Sequence, residues 1–269
     1  MAGQRAAFPL AAPDRPKRDT KNRSRNKLIP VKQALAMTIC EALRTAPTLQ
    51  VPAMLSKLGV SINLRPRQRL ALGRDAEHIY IVKDGVLMLE SLPQPTARQI
   101  LDIYYPGDVV RGHLVPNISG VNLMAANQGE VVRIGLSRLE QPLHNDAAAR
   151  DWLDCAFANQ YPRRLLHLAT IGTLTGEERV VSMLIEFAYR LGEGGYEGAR
   201  SFDIPLSRTD MADYLSLNAD TLSRIMSRLR QNGVLGLAGR GRAYAPKFEA
   251  LRAMSPLAET IQALHGTAV

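Results

Sequence analysis

The sequence predicts an α+β fold, with short strands in the first half of the chain and helices in the second. Between residue 61 and about residue 140, β-rich segments alternate with turn signals, of which Lys83-Asp84-Gly85 is the clearest hairpin signal. After Asp146, apolar residues recur at helical spacing instead. At 269 residues the chain exceeds one typical domain, so we expect two domains with extensions.

Four β-rich segments define the first domain. His78 to Val82 and Val86 to Glu90 flank the hairpin signal, Arg98 to Tyr105 ends at a Pro-Gly-Asp turn, and Glu130 to Ile134 supplies a late strand. Short strands at this spacing imply a small double-sheet barrel or jelly roll.

Two short amphipathic patterns, separated by a break, lie between Leu206 and Arg242. Ser207 with Asp210 three residues later is a capping-box-like helix start, and Asn218 is a good N-cap for a second helix. The second helix has apolar residues at i, i+3, i+4 and i+7 and ends near Gly233: Leu222, Ile225, Met226 and Leu229. The Gly-Arg-Gly-Arg run that follows indicates a two-stranded hairpin, so we predict a winged helix-turn-helix.

The opposite face of the second helix carries Asp220, Ser223, Arg224 and Ser227, which we call the reading face. A helix that enters the major groove by its N-terminus reads base edges with its early residues. Arg224 can bind guanine O6 and N7, and Asp220 can accept from a cytosine amino group. The alternative is an ordinary solvated face. The preceding helix, the short turn and the basic hairpin together favour DNA reading.

The run Asp220-Thr221-Leu222-Ser223-Arg224 resembles the winged helix-turn-helix of the Crp/Fnr family of bacterial transcription regulators, most of all its Fnr and FixK branches. The family pattern is Glu-Thr-(Val/Ile)-Ser-Arg, whose Glu, Ser and Arg contact bases of a TTGA-type half-site. The resemblance therefore assigns base reading to Asp220, Ser223 and Arg224. Asp220 replaces the usual Glu, which shortens its reach by about 1.5 Å. Four further residues are expected to contact the DNA backbone: Arg208, Ser227, Arg240 and Arg242.

The segment from His78 to Val110 resembles the cyclic-nucleotide-binding-like sensor domain of the same family. The resemblance thus implies a cyclic-nucleotide-binding-like β jelly roll, a long dimerisation helix and a C-terminal winged helix-turn-helix. It also implies a homodimer that binds double-stranded DNA and contacts RNA polymerase.

The dimerisation helix is expected from Asp146 to about Thr173. Pro162 should kink it near Gln160 or Tyr161, because proline removes a helical hydrogen bond and clashes with the preceding turn. Four residues are candidates for the seam, the surface where two copies meet: Trp152, Ala156, Leu166 and Ala169.

The expected organisation has five parts. They are a disordered basic tail (1–28), N-terminal helices with the sensor β-barrel (29–143), the dimerisation helix with a following helix (144–192), the winged helix-turn-helix (193–250) and a C-terminal tail (251–269).

Motifs argue against a cofactor and against an enzyme. The Gly-Glu and Arg-Ser or Arg-Thr pair that holds a cyclic-AMP phosphate in the family is missing after Gly107-Asp108. Two cysteines are too few for the four ligands of an iron–sulfur cluster. No phosphate-binding loop, catalytic grouping or metal-ligand spacing is present. We expect no cofactor, no metal and no catalytic residue, and the sequence leaves any effector unknown.

The net charge of +9 is unevenly distributed. Residues 1–32 hold nine Lys or Arg and two Asp, so the rest of the chain carries only +2. The basic segment is either a DNA-affinity arm or a solubilising tail. Two cysteines do not make a disulfide framework, and no apolar run approaches about 18 residues. We expect a cytoplasmic protein without a membrane partner.

Two further hypotheses stay open. Cys155 either pairs with its copy across the seam, which would make DNA affinity redox-dependent, or is a small buried residue. The chain as a whole could instead be a ligand or redox sensor whose winged helix mediates protein interaction rather than specific DNA binding.

Overall fold

The first half of the chain folds as two packed four-stranded sheets, here called the roll. The computed structural model describes residues 51–72, 78–94, 97–111, 120–239 and 241–266. The strands of the roll are β1 (Val60–Leu64), β2 (Arg69–Leu70), β3 (His78–Asp84), β4 (Leu87–Gln94), β5 (Ala97–Tyr104), β6 (Val109–Arg111), β7 (Val121–Ala125) and β8 (Gly129–Gly135). One sheet has the order β1-β8-β3-β6 and the other β2-β7-β4-β5, with antiparallel neighbours. The predicted double-sheet architecture is confirmed.

Helices follow the roll, and a third small sheet lies near the end of the chain. The helices are α1 (Ala53–Leu58), before the roll, then α2 (Glu140–Asn145), α3 (Ala147–Ala158), α4 (Gln160–Thr173), α5 (Gly176–Leu191), α6 (Arg208–Leu215), α7 (Ala219–Gln231), α8 (Phe248–Arg252) and α9 (Ala258–His265). The small sheet has the order β11-β12-β10-β9, formed by β9 (Gly192–Gly194), β10 (Arg200–Asp203), β11 (Gly236–Leu237) and β12 (Arg242–Ala245). The predicted basic tail and Cys40 lie outside the described residues, as does Arg240.

Both outer faces of the roll are covered by other elements. The side chains between its sheets form one core that includes Tyr80, Leu89 and Leu123. The outer face of the first sheet packs on α1 and α3, where Trp152 and Ala156 are buried. The outer face of the second sheet belongs to the same apolar cluster as helices α5 to α7. The roll and the helix-turn-helix therefore share a core.

The single kinked helix expected from Asp146 to Thr173 is two helices, α3 and α4, that meet at Asn159. Pro162 lies in the first turn of α4, where a backbone N–H has no helical partner and its loss costs nothing. The break also lets the buried Gln160 amide donate to the Val109 carbonyl of β6. The chain thus bends around the edge of the roll.

A buried aspartate ties the roll to α4 and α5. The Asp108 carboxylate accepts from Arg163 Nη1 and Nη2 at 2.9 and 2.8 Å and from Arg190 Nη2 at 3.0 Å. Burial alone would raise the pKa of Asp108, but the charges of Arg163 and Arg190 outweigh it and lower that pKa to about 2. The Tyr105 N–H also donates to this carboxylate.

Residues 251–269, expected to be a tail, include the end of α8 and the helix α9. Ala258, Ile261 and His265 are buried at i, i+3 and i+7, and α9 packs on α5. Next to His265, the Tyr105 hydroxyl donates to Glu186 Oε1 at 2.6 Å. Burial raises the pKa of Glu186 to about 7. None of the helices in the described ranges is long and apolar enough to cross a membrane.

Removal of the Asp108 charge should destabilise the fold strongly. Asp108→Asn leaves two guanidinium groups buried without their carboxylate, and loss of one partner of a buried ion pair costs about 3–5 kcal/mol. We expect a loss of that size in the free energy of unfolding, measured by urea denaturation near pH 7. Asp151→Asn, at an exposed site on α3, is the control and should change it by less than about 0.5 kcal/mol.

The same pair of proteins tests the electrostatic cause by its pH dependence. Because the folded-state pKa of Asp108 lies below its ordinary value of 3.8, the stabilisation is complete above that value and is lost as pH falls towards about 2. The difference between wild type and Asp108→Asn should therefore shrink over this range. A difference that stays constant down to pH 2 would contradict the assignment.

Candidate nucleic-acid interface

Helix α6 begins with the predicted capping box. The Asp210 N–H donates to Ser207 Oγ at 3.1 Å, and the Ser207 N–H donates to Asp210 Oδ2 at 3.3 Å. Ser216 ends the helix in the left-handed conformation, with φ of 52°. This reversal directs the chain into the next helix.

Helix α7 is capped by Asn218, whose Oδ1 accepts from the Asp220 N–H at 2.8 Å. Its four predicted apolar residues are all buried: Leu222, Ile225, Met226 and Leu229. Gly233 follows the helix with φ of 68°, a conformation in which a Cβ atom is disfavoured. The predicted helix-turn-helix is confirmed, with α7 as its second helix.

The whole reading face is exposed. Asp220, Ser223 and Arg224 lie within the first six residues of α7, and the Ser223 hydroxyl donates to the Ala219 carbonyl at 2.9 Å. Within the described part of the chain, the Arg224 guanidinium has no hydrogen bond or ion pair. Its donors are therefore available to a ligand.

Arg228, one turn after Arg224, is in a different situation. Its Nη1 lies 2.6 Å from Glu177 Oε2, at the start of α5. The pair flanks one side of the reading face, and local sequence spacing did not indicate it because the two residues are 51 positions apart.

The hairpin after α7 is the predicted wing. β11 and β12 pair antiparallel, with Gly236 opposite Tyr244. A Cβ atom on Gly236 would lie 2.1 Å from the Tyr244 ring, so a glycine is needed for the tyrosine to cross the strand. Arg242 is exposed at the start of β12.

Arg208 is exposed at the first position of α6. Burial of part of its side chain and the nearby positive charge of Arg230 both lower the pKa of Arg208. Two like charges close together favour an anion between or beside them. Arg208, Ser227 and Arg242 thus remain candidates for phosphate contact.

An ion-pair cluster joins α6 to the roll. Arg98 on β5 donates Nε to Glu90 on β4 at 2.9 Å and Nη1 to Asp213 at 2.6 Å, and its Nη1 lies 2.8 Å from Asp210 Oδ1. Arg67 binds the same Asp210 with both Nη atoms, at 3.0 and 2.7 Å. We call these five residues the Arg98 cluster.

Asp210 is almost completely buried at the centre of the Arg98 cluster. Burial alone would raise its pKa, but hydrogen bonds from Ser207, Arg67 and Arg98 lower it below the ordinary value. Burial alone would lower the pKa of Arg98, but hydrogen bonds to the carboxylates of Glu90, Asp210 and Asp213 outweigh it and raise that pKa. Both groups stay ionised at neutral pH.

Two further contacts fix α6 at other points. Ser216 Oγ donates to the Gln99 side chain of β5 at 3.4 Å. The His167 ring of α4 stacks on Tyr214 with centroids 4.0 Å apart, and burial lowers the pKa of His167 to about 4.

The described residues contain no group of three or more His, Cys, Asp or Glu that could hold a metal ion. Residues 112–119, which follow Gly107-Asp108 in the roll, lie outside the described ranges. On β8, Glu130 pairs with Lys83 at 2.8 Å, whereas Arg133 lies opposite Tyr80. Glu130 and Arg133 are three residues apart on this strand, so their side chains project from opposite faces.

The predicted seam is wrong for three of its four residues. Trp152, Ala156 and Leu166 are buried within the chain, and only Ala169 is exposed. The large exposed apolar residues of α4 are Tyr161, Leu165 and Leu168, with 69%, 48% and 59% of their surface accessible. We call these three the α4 stripe. The error arose because the inner face of the helix has the same apolar spacing as the outer one.

Cys155 is partly buried on α3, the helix before the α4 stripe. Its position gives no support to a seam disulfide, and its redox role stays a prediction.

Comparison with known proteins identifies the C-terminal unit. The family model described as "Crp-like helix-turn-helix domain" matches residues 178–254, which include the capping box, the reading face and the wing. The matched segment begins within α5, so α5 belongs with the helix-turn-helix in sequence as well as in packing.

Similarity to named regulators extends over most of the chain. The nitrogen fixation regulation protein FixK of Azorhizobium caulinodans is 29% identical over 177 residues, which cover 66% of this chain and 71% of that protein. FixK of Rhizobium meliloti is 26% identical over 204 residues, 76% of this chain and 90% of that protein. The structure of FixK2 from Bradyrhizobium japonicum superposes with a TM-score of 0.62 at 26% identity, covering 73% of this chain and 97% of that one. The chain thus carries a Crp-like helix-turn-helix domain at residues 178–254 and is similar over about two thirds or more of its length to FixK regulators, which supports a Crp/Fnr-type transcription regulator of the FixK type.

Proposed function

We propose that the chain binds double-stranded DNA as a homodimer and reads a pseudo-palindromic, TTGA-like site with helix α7 of each copy. The observation that carries this proposal is the exposed reading face at the start of a capped helix, with the Arg224 guanidinium unpaired among the described residues. The Crp-like helix-turn-helix domain and the similarity to FixK regulators support DNA-binding transcription regulation; the site residues, the half-site sequence and the dimer are the proposal.

The three base-reading residues lie close enough together to contact adjacent base pairs. Asp220 and Arg224 are four residues apart, or about 6 Å along the helix, and project from the same side. Arg224 would bind guanine O6 and N7 with two N–H groups, and the Ser223 hydroxyl can donate or accept. Asp220, shorter than the family's Glu, would contact its base less closely.

Phosphate contacts would flank the reading face. Arg208 starts α6 and Arg242 lies on the wing, whereas Ser227 is the last residue of the reading face, one turn after Ser223 on α7. Arg240, which lies outside the described residues, is the fourth predicted phosphate contact. Such contacts set affinity and orientation but do not discriminate between sequences.

Dimerisation would bury the α4 stripe against its copy. Tyr161, Leu165 and Leu168 follow the alternating spacing of four and three residues that two helices need to pack along a seam. A two-fold axis along α4 would present two α7 helices to two half-sites, which is why the proposed site is pseudo-palindromic. By resemblance to Crp/Fnr regulators, we also propose that the protein contacts RNA polymerase and is cytoplasmic.

Arg224→Ala should weaken the sequence preference rather than DNA binding as such. A bidentate arginine–guanine contact discriminates by about 1–3 kcal/mol, so we expect the preference for a TTGA palindrome over a scrambled duplex to fall by that amount. Fluorescence anisotropy at fixed salt, without added ligand, measures both affinities. Arg150→Ala, which removes an exposed arginine on α3, is matched in charge and should leave the preference unchanged.

Arg242→Ala in the same assay separates backbone from base contact. The substitution should weaken binding to both duplexes equally. It should also reduce the slope of log affinity against log salt by about 0.9, the value for one phosphate contact. Equal affinity of the wild type for both duplexes would refute the TTGA-like site. An undiminished preference in Arg224→Ala would refute Arg224 as the main reader.

Leu165→Glu should convert the dimer to a monomer, because it places a charge in the apolar centre of the α4 stripe. Sedimentation velocity should show roughly half the wild-type mass, and the palindrome should bind no more tightly than a single half-site. Leu92→Glu, which alters an exposed leucine on β4, is the control and should stay dimeric. A Leu165→Glu protein that remains dimeric would place the interface elsewhere.

A further inference from the structure

We propose that Arg98 is a positioning residue for DNA binding, which acts through Asp210 and Asp213 to hold the first helix of the helix-turn-helix on the roll. The inference rests on the proposed function and assigns to it a residue of the roll, outside the reading face. Its basis is a set of contacts between β5 and both ends of α6.

Arg98 contacts α6 on two successive turns. Asp210 and Asp213 are three residues apart, so their carboxylates lie on one side of the helix, where a single guanidinium Nη1 reaches both. The Nε atom is held by Glu90, which fixes the plane of the guanidinium against the roll. Arg98 therefore determines where along β5 the helix sits and which side it presents.

Asp210 couples this contact to the start of the helix. The same carboxylate closes the capping box with Ser207 and binds the forked guanidinium of Arg67. Arg67 adopts a left-handed backbone conformation, with φ of 66°, which is uncommon for a residue with a Cβ atom. The surrounding contacts must therefore offset a backbone strain that places Arg67 beside Asp210.

The far end of α6 has its own contact with the same strand. Gln99, the neighbour of Arg98, accepts from Ser216 in the turn that leads to α7. Two attachment points on one strand prevent the helix from rotating about either of them. Because Met211 and Leu215 pack in one core with Leu222, the placement of α6 sets the placement of α7.

The Arg98 cluster leaves the DNA-reading surface free. Asp220, Ser223, Arg224 and Arg208 are all exposed while the cluster is intact. Nothing in the cluster competes with DNA for these side chains. The contacts of Arg98 therefore hold α7 in a position where its reading face is open to DNA. Their loss should lower the fraction of molecules in the conformation that binds DNA.

Arg98→Met tests the proposal against a matched control. Methionine keeps the apolar stem and removes the guanidinium. Arg69→Met removes one positive charge from the same part of the roll; among the described residues, the ion pair of Arg69 is with Glu90, at 3.6 Å, and not with α6. We expect Arg98→Met to weaken binding of the TTGA palindrome about tenfold, within the usual range of coupling between sites, and Arg69→Met to change it less than twofold.

A double variant tests whether Arg98 affects DNA binding through Asp213. If Arg98 acts through Asp213, the protein Arg98→Met/Asp213→Asn should bind no more weakly than Arg98→Met alone, because the two losses are not additive. Binding is measured well below the melting temperature of each variant, so that a merely structural loss of stability leaves the affinity of the folded protein unchanged. Additive losses would overturn the assigned route.

Hydrogen exchange of the free protein gives a readout that does not require DNA. Amides of α6 should exchange faster in Arg98→Met than in Arg69→Met, while those of β3 stay protected. Unchanged α6 protection overturns the proposal, as does unchanged or tighter palindrome binding by Arg98→Met. If the wild type binds no DNA, the proposed function fails, and the exchange data alone decide whether Arg98 holds α6.

Discussion

A carboxylate that is removed from water must be paired with positive charge, and this constraint organises the junction between the roll and the helices. Asp108 is held by Arg163 and Arg190 from α4 and α5, and Asp210 on α6 is held by Arg67 and Arg98 from the roll. In both places the pairing lowers the aspartate pKa despite burial. Each buried charge thus fixes the distance between two elements that are remote in sequence.

These ion pairs matter because apolar packing alone does not specify one arrangement. Apolar contact is roughly proportional to area and has little directional preference, so the second sheet could slide against helices α5 to α7 with a small change in energy. A forked guanidinium on a buried carboxylate has a defined geometry and penalises such sliding. The continuous core supplies stability, and the ion pairs select the orientation in which the winged helix-turn-helix is presented.

Local signals predicted the elements well but not the contacts between them. Caps, turns and the apolar spacing of α7 act within a few residues, so Ser207, Asn218 and Gly233 could be assigned from sequence alone. The Arg98 cluster joins residues more than a hundred positions apart and has no local signature. The seam was misplaced for a related reason: periodicity shows that a helix has an apolar face, but only the fold shows which apolar face is already covered.

The reading face also shows why an unpaired side chain is the better candidate for base recognition. Arg228 would have to break its ion pair with Glu177 before it could bind DNA, and that exchange offsets part of the gain. Arg224 would exchange only water for a base edge. Asn218 and the cluster around Asp210 have meanwhile ordered the backbone beneath it, so little conformational entropy remains to be lost on binding. In the proposed complex, sequence discrimination would therefore concentrate at Arg224, and the shorter Asp220 could vary without loss of the site's main contact.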